Sequence, residues 1–144
     1  MINTTNLNEA RKQADKLRKE NKPIEILSQD DEFNRKALEI KNLSLIIVNE
    51  NLNQADYGKQ RNSGLNEVLA KICSSKSIKV GIQIEEIIKK DTREKAKALA
   101  RLMQNIMLCK KAKAKLVFMG NIKDKRALQA LLLTLGASTQ QATF

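Results

Sequence analysis

Four short apolar runs punctuate this chain, and between them apolar residues recur every three or four positions. The runs fall at residues 24–28, 43–48, 78–84 and 116–119. The second, Leu43-Ser44-Leu45-Ile46-Ile47-Val48, is almost continuously apolar and rich in β-branched residues, as suits a strand buried on both faces. In the third, Ile78, Val80, Ile82 and Ile84 alternate with Lys79, Gly81 and Gln83. Helices are predicted at about 6–21 and 30–40, from Ser63 past Ile72, and at about 91–113 and 124–135. Helix and strand alternating in this way imply an α/β fold with a parallel sheet and helical crossovers. Ligands of such sheets gather at the carboxyl ends of the strands. Four strands are too few to close a barrel.

Local signals mark where the elements begin and stop. Leu7, Ala10, Ala14 and Leu17 form a narrow apolar stripe behind a cap at Thr5 or Asn6. Pro23 ends that helix. Asp30 and Asp31 suit a helix N-terminus, where carboxylates meet free N–H groups, and Phe33, Ala37, Leu38 and Ile40 give that helix its apolar side. Ser63 is expected to cap the third helix, with Leu65, Val68, Leu69 and Ile72 facing inward. Asp91 or Thr92 caps a long helix with an expected buried row of Ala96, Leu99, Met103 and Ile106, widened by Leu102 and Met107. Gly136 stops the last helix. One domain over residues 1–144 is expected, with 138–144 as a disordered tail.

Length and composition support a buried core: 144 residues, 42% hydrophobic and 30% charged. The formal net charge of +11 favours a polyanionic partner, RNA above all. A membrane surface is disfavoured, because no basic amphipathic helix carries Trp or Phe anchors. A polar N-terminus and the lack of a long apolar run predict a cytoplasmic protein. Cys73 and Cys109 lie inside helical patterns and read as buried thiols. The chain has no histidine, so zinc and Ser-His or Cys-His catalysis are not expected. The glycines are too scattered for a phosphate-cradling loop. Glu85-Glu86, read as strand neighbours, would point to opposite faces and share no task. No cofactor or metal is expected.

The long polar connection at 49–62, which includes Asn53 and Gln54, follows the second strand and so lies at the ligand edge. Tyr57-Gly58-Lys59-Gln60-Arg61-Asn62-Ser63 then leads into a helix. Arg for bidentate contact, Lys as a point charge, and Ser, Asn and free N–H groups at a helix start all suit phosphate. Asn34-Arg35-Lys36 follows the first strand at a similar distance. A capped helix after a solvated loop accounts for the same residues equally well.

Arg61-Asn62-Ser63-Gly64-Leu65-Asn66 followed by Leu69-Ala70-Lys71 resembles the Arg-x-Ser-Gly-Leu-Asn…Leu-Ala-Lys signature of archaeal and eukaryotic ribonuclease P protein component 3. Asn34-Arg35-x-Ala37-x-Glu39, the 43–48 strand with Glu50, and the 78–84 strand resemble that family in order and spacing. So do Arg93, Met103, Asn105 and Leu108-Cys109-Lys110, then Asp124-x-Arg126. The resemblance implies a TIM-barrel-like fold related to polymerase-and-histidinol-phosphatase phosphoesterases but without their metal-binding histidines. It also implies a non-catalytic role: binding the catalytic RNA of ribonuclease P, with precursor tRNA as substrate and a second subunit like the eukaryotic Pop-five protein as partner. Arg35, Lys36, Lys59, Arg61, Asn62, Ser63 and Lys71 are the expected RNA contacts, reading shape rather than sequence. Few aromatics are present for base stacking.

Two departures stand beside the likeness. The chain reads as a partial barrel of about four β/α units without the N-terminal part, which leaves open strand edges. Self-association or a separate chain is expected to complete it. Val117-Phe118-Met119-Gly120-Asn121 also lacks the small Ser-Gly-Ala stretch usual there. Two rival classes remain: a degenerate metal-dependent phosphoesterase, and a basic structural protein whose charge serves solubility.

Overall fold

A computed structural model describes residues 1–52 and 55–142. The elements run α1 (Leu7–Lys19), β1 (Ile24–Leu27), α2 (Asp31–Ala37), β2 (Leu43–Ile47), α3 (Glu67–Ser75), β3 (Lys79–Gln83), α4 (Ile84–Ile88), α5 (Thr92–Ala112), β4 (Leu116–Met119) and α6 (Lys125–Thr134). The four strands form one sheet in the order β1-β2-β3-β4, and every pair is parallel. This is the expected α/β alternation. Ile2 adds a single parallel bridge beside Ile26 at the β1 edge. Its N–H donates to the Glu25 carbonyl at 2.7 Å, and its carbonyl accepts from Leu27 N–H at 2.9 Å.

Short polar side chains start most helices. Asn6, Asp30, Asn66, Asp91 and Asp124 each accept from backbone N–H groups of the first turn, in α1, α2, α3, α5 and α6 respectively. That satisfies donors which have no partner inside the helix. The cap of α3 is therefore Asn66, not Ser63. α2 ends at Ala37, earlier than the expected 40. At the other end, the turns leading from helix to strand hold a left-handed residue: Asn21 before β1, Asn42 before β2, Ser77 before β3 and Lys113 before β4.

The main core lies between the sheet and the helices. It includes Ala10, Ala14, Ile26, Ile46, Leu69, Val80, Ile82, Leu102 and Ile106, all at 2% exposure or less. In α5 the buried row is Ala98, Leu102, Asn105, Ile106 and Cys109, while Met103 and Met107 are exposed. The expected row through Ala96 and Met103 was displaced because a polar residue, Asn105, occupies a buried position. Ile84 also departs from expectation. It opens α4, where Ile84 and Ile87 are buried three residues apart. Glu85 and Glu86 thus sit on a helix and share Lys89, at 3.8 and 3.7 Å.

The opposite face of the sheet carries a smaller cluster of Leu27, Leu45 and Ile47, with Val117 and Met119 beside it. Gly81 makes that cluster possible. A Cβ there would meet Met119 Sδ at 3.0 Å and Ile47 Cγ1 at 3.2 Å. Of the expected tail, residues 138–142 turn back on the body. Gln141 Nε2 donates to the Ile106 carbonyl at 3.1 Å, and Ala142 is fully buried. Thr143 and Phe144 lie outside the described residues.

Candidate nucleic-acid interface

The polypeptide leaves β2 at the carboxyl edge of the sheet and is tied down at once. Val48 N–H donates to the Gly81 carbonyl at 2.8 Å, and Asn49 N–H to Ser28 Oγ at 3.0 Å. Glu50 then turns inward and is buried. Burial pushes its carboxyl up to about 7, against the opposing pull of Lys90 and Arg101. Its Oε1 has no hydrogen-bond partner among the described residues. Asn53 and Gln54, part of the expected loop, lie outside the described residues.

Asp56 is the hub of the next stretch. Its carboxylate accepts from Asn62 N–H at 2.8 Å, from Arg61 Nη1 at 3.3 Å and from Arg101 Nη2 at 3.2 Å. Desolvation pushes this carboxyl up, but those N–H groups and guanidiniums outweigh it and hold the group below its ordinary range. Tyr57 Oη reaches Asp31 Oδ2 at 3.3 Å, which sets the loop beside the start of α2. Arg35 and Lys36 lie one turn further along the same helix.

Two adjacent amides on α5 clamp the signature. Gln104 accepts from Arg61 N–H at 3.0 Å and donates to the Arg61 carbonyl at 2.9 Å and to Ser63 Oγ at 2.9 Å. Asn105 Oδ1 accepts from Ser63 Oγ at 2.7 Å, and its Nδ2 donates to the Ser63 carbonyl at 3.2 Å. Gly64 follows with φ +72°, in the left-handed region. A Cβ there would come 3.2 Å from Ser28 Oγ. Backbone conformation and close approach both favour glycine.

The expected contact residues divide into two sets. Arg35, Lys36, Lys59, Arg61 and Lys71 have exposed side chains and Asn62 is half-buried. Ser63 is a correction: it is 4% exposed, and its hydroxyl is committed to Asn105 and Gln104. It shapes the loop rather than facing a ligand. Asn34 has a similar structural role. It is fully buried, and it accepts from Gln29 N–H at 2.7 Å and donates to the Gln29 carbonyl at 3.0 Å. Several of the cations already hold carboxylates: Lys36 with Glu32, Arg61 with Asp56, and Lys71 with Glu67, which Lys111 also reaches. Sequence reading missed Gln104 as a site residue. The only local sign was a pair of amides within an otherwise amphipathic helix.

Among the described residues, no three His, Cys, Asp or Glu side chains gather as a metal site. Cys73 and Cys109 are free and buried, and burial pushes both thiols up to about 12. Among the described residues, no helix is long and apolar enough to cross a membrane.

No protein-family profile matches the chain. It is 30% identical over 129 residues to ribonuclease P protein component 3 of Methanococcus vannielii, an alignment covering 90% of this chain and 53% of that protein. The chain thus spans about half the length of the curated relative it matches. Its fold superposes on one chain of the cryo-EM structure of archaeal ribonuclease P with mature tRNA. The TM-score is 0.77 at 25% identity, covering 94% of this chain and 58% of that one. Both comparisons bear out the resemblance carried by the Arg61–Lys71 signature, and 58% coverage agrees with a partial barrel.

Proposed function

We propose, on the premise of its likeness to ribonuclease P protein component 3, that this chain is a protein subunit of ribonuclease P. In this reading it binds the enzyme's RNA and supports maturation of the tRNA 5′ end. Bond breaking belongs to the RNA and its magnesium ions, and the protein contributes positive charge and shape. The observation that carries the reading is the clamped loop. The stretch on which the family likeness rests is held rigid by Gln104 and Asn105, with the Arg61 side chain left half exposed. A fixed loop loses little conformational entropy on binding.

Arg35, Lys36, Lys59, Arg61, Asn62 and Lys71 are the proposed contacts to phosphate and ribose, and Ser63 is a positioning residue behind them. Arg35 and Lys59 form no ion pair with another described residue, so phosphate need not displace a carboxylate from them. At Arg61 it must compete with Asp56. Precursor tRNA, a second protein subunit of the Pop-five type, and a chain completing the barrel are the proposed partners.

Reconstitution tests the proposal. The protein is added to ribonuclease P RNA with the partner subunit, and precursor-tRNA cleavage is followed at moderate magnesium. Faster cleavage or a lower magnesium requirement is the expected result. Cleavage indifferent to the protein, together with no binding to the RNA, would overturn it.

A further inference from the structure

A second positive surface lies away from the signature loop. It surrounds an open cleft of about 1020 Å³ at the amino ends of β3 and β4, where Lys79, Lys110, Lys113 and Lys115 stand around Leu116 and Val117. No carboxylate lines the cleft. None of the four lysines forms an ion pair with another described residue. At the signature loop, Lys36, Arg61 and Lys71 are each within ion-pair distance of an acid, while Arg35 and Lys59 are not.

Lys113 adds a separate observation. It takes φ +59° at the end of α5, a conformation that Cβ sterics penalise and that glycine or asparagine adopts more readily. The equivalent turns before β1 and β2 do use asparagine. Its backbone is well held: the N–H reaches the Cys109 and Lys110 carbonyls, and its own carbonyl accepts from Ser74 Oγ at 3.3 Å. The side chain takes no part in these bonds and is exposed at the cleft, and the turn before β3 holds Ser77 in the same conformation. A lysine on an edge strand can be a guard against edge-to-edge pairing. That accounts for Lys115, and Lys110 and Lys113 at the end of α5 complement the helix dipole, but neither effect calls for four lysines around one cleft without a carboxylate.

We infer that this cleft is a second RNA-binding site, taking a run of phosphates separate from the one at the signature loop, so that the protein grips RNA at both ends of its strands. Four point charges on long flexible stems suit a polyanion read without sequence. An acidic protein partner fits less well, because a stable protein interface needs protruding apolar anchors. Ala114, Leu116 and Phe118 in the cleft are each 8% exposed or less. The inference shares with the proposed function the premise that the ligand is RNA, but it concerns different residues.

The test compares two variants of the full chain in filter binding to a mature tRNA transcript over a range of salt. The cleft variant is Lys79→Gln, Lys110→Gln, Lys113→Gly and Lys115→Gln. The loop variant is Arg35→Ala, Lys59→Ala and Arg61→Ala. The cleft variant is expected to bind at least about ten-fold more weakly near physiological salt, with a salt slope shallower by about 2 to 3. Lys113→Gly alone is expected to raise the melting temperature while lowering affinity, which separates lost contact from lost fold. Unchanged affinity and slope in the cleft variant, with a loss in the loop variant, would overturn the inference and leave the proposed function standing. Unchanged binding in both would overturn both. Polyglutamate that binds through these lysines while tRNA binding ignores them would also overturn it.

Discussion

Ser63 and Asn105, 42 residues apart in sequence, close a buried two-way hydrogen bond: the serine hydroxyl donates to the asparagine Oδ1 at 2.7 Å, and the asparagine Nδ2 returns a bond to the serine carbonyl at 3.2 Å. Both residues are at 4% exposure or less. Removing either partner strands a polar group where water does not reach. Ser63→Ala or Asn105→Ala is therefore expected to destabilise the chain by about 1–3 kcal/mol. Chemical denaturation of the two single variants and the double should show strong non-additivity, since the second substitution removes a bond already lost. Strictly additive losses would contradict the clasp.

Gly64 and Gly58 lie six residues apart in the same connection and should respond differently to alanine. A Cβ on Gly64 faces left-handed backbone strain and Ser28 Oγ at 3.2 Å, whereas one on Gly58 meets nothing within 4 Å. Gly64→Ala is expected to lower stability by on the order of 1–2 kcal/mol, and Gly58→Ala to be neutral or slightly stabilising. Thermal melts of the pair decide it. The loss at Gly64 should be accompanied by weaker RNA binding, because the loop that carries Arg61 is displaced.

Glu50 makes stability depend on pH in a direction unusual for a carboxylate. Burial raises it from 4.5 to about 7 in the folded protein. The unfolded chain thus releases this proton at lower pH than the folded one. The contribution of this group is fully present below about 4.5 and is lost as pH rises through about 7. Glu50→Gln should remove that dependence. Its melting temperature is expected to exceed that of the parent at pH 8 and to approach it near pH 5. A variant less stable than the parent at pH 8 would mean that Lys90 and Arg101 more than compensate the buried charge.

Cations with and without a resident carboxylate should differ in their effect on RNA binding. Arg61→Ala and Lys71→Ala together are expected to lower affinity while leaving the melting temperature nearly unchanged, because both side chains are exposed and their ion pairs contribute little to stability. Lys59→Ala and Arg35→Ala are expected to reduce affinity more per residue. Binding isotherms at two salt concentrations would show it, with the largest differences at low salt.

Much of the architecture was legible locally. Apolar alternation marked β3 up to Gln83, a nearly continuous run rich in β-branched residues marked β2, and short apolar runs marked β1 and β4. Asp30, Asp91 and Asp124 announced helix starts because a short acceptor can reach the free N–H groups only there. The signature stretch, too, was visible as residue types suited to phosphate at the carboxyl edge of a parallel sheet.

What tertiary structure alone decided is which polar residues face water. Ser63 reads as a surface cap until Asn105 arrives from α5, and Asn105 reads as a solvated helix position until Ser63 meets it. Each is a polar side chain whose burial is tolerable only because the other is present. Glu50 is hidden by the same kind of distant packing. Periodicity records how a segment divides between inside and outside. Hydrogen bonds between segments forty residues apart leave no period behind, so they emerge only when the helices close over the sheet.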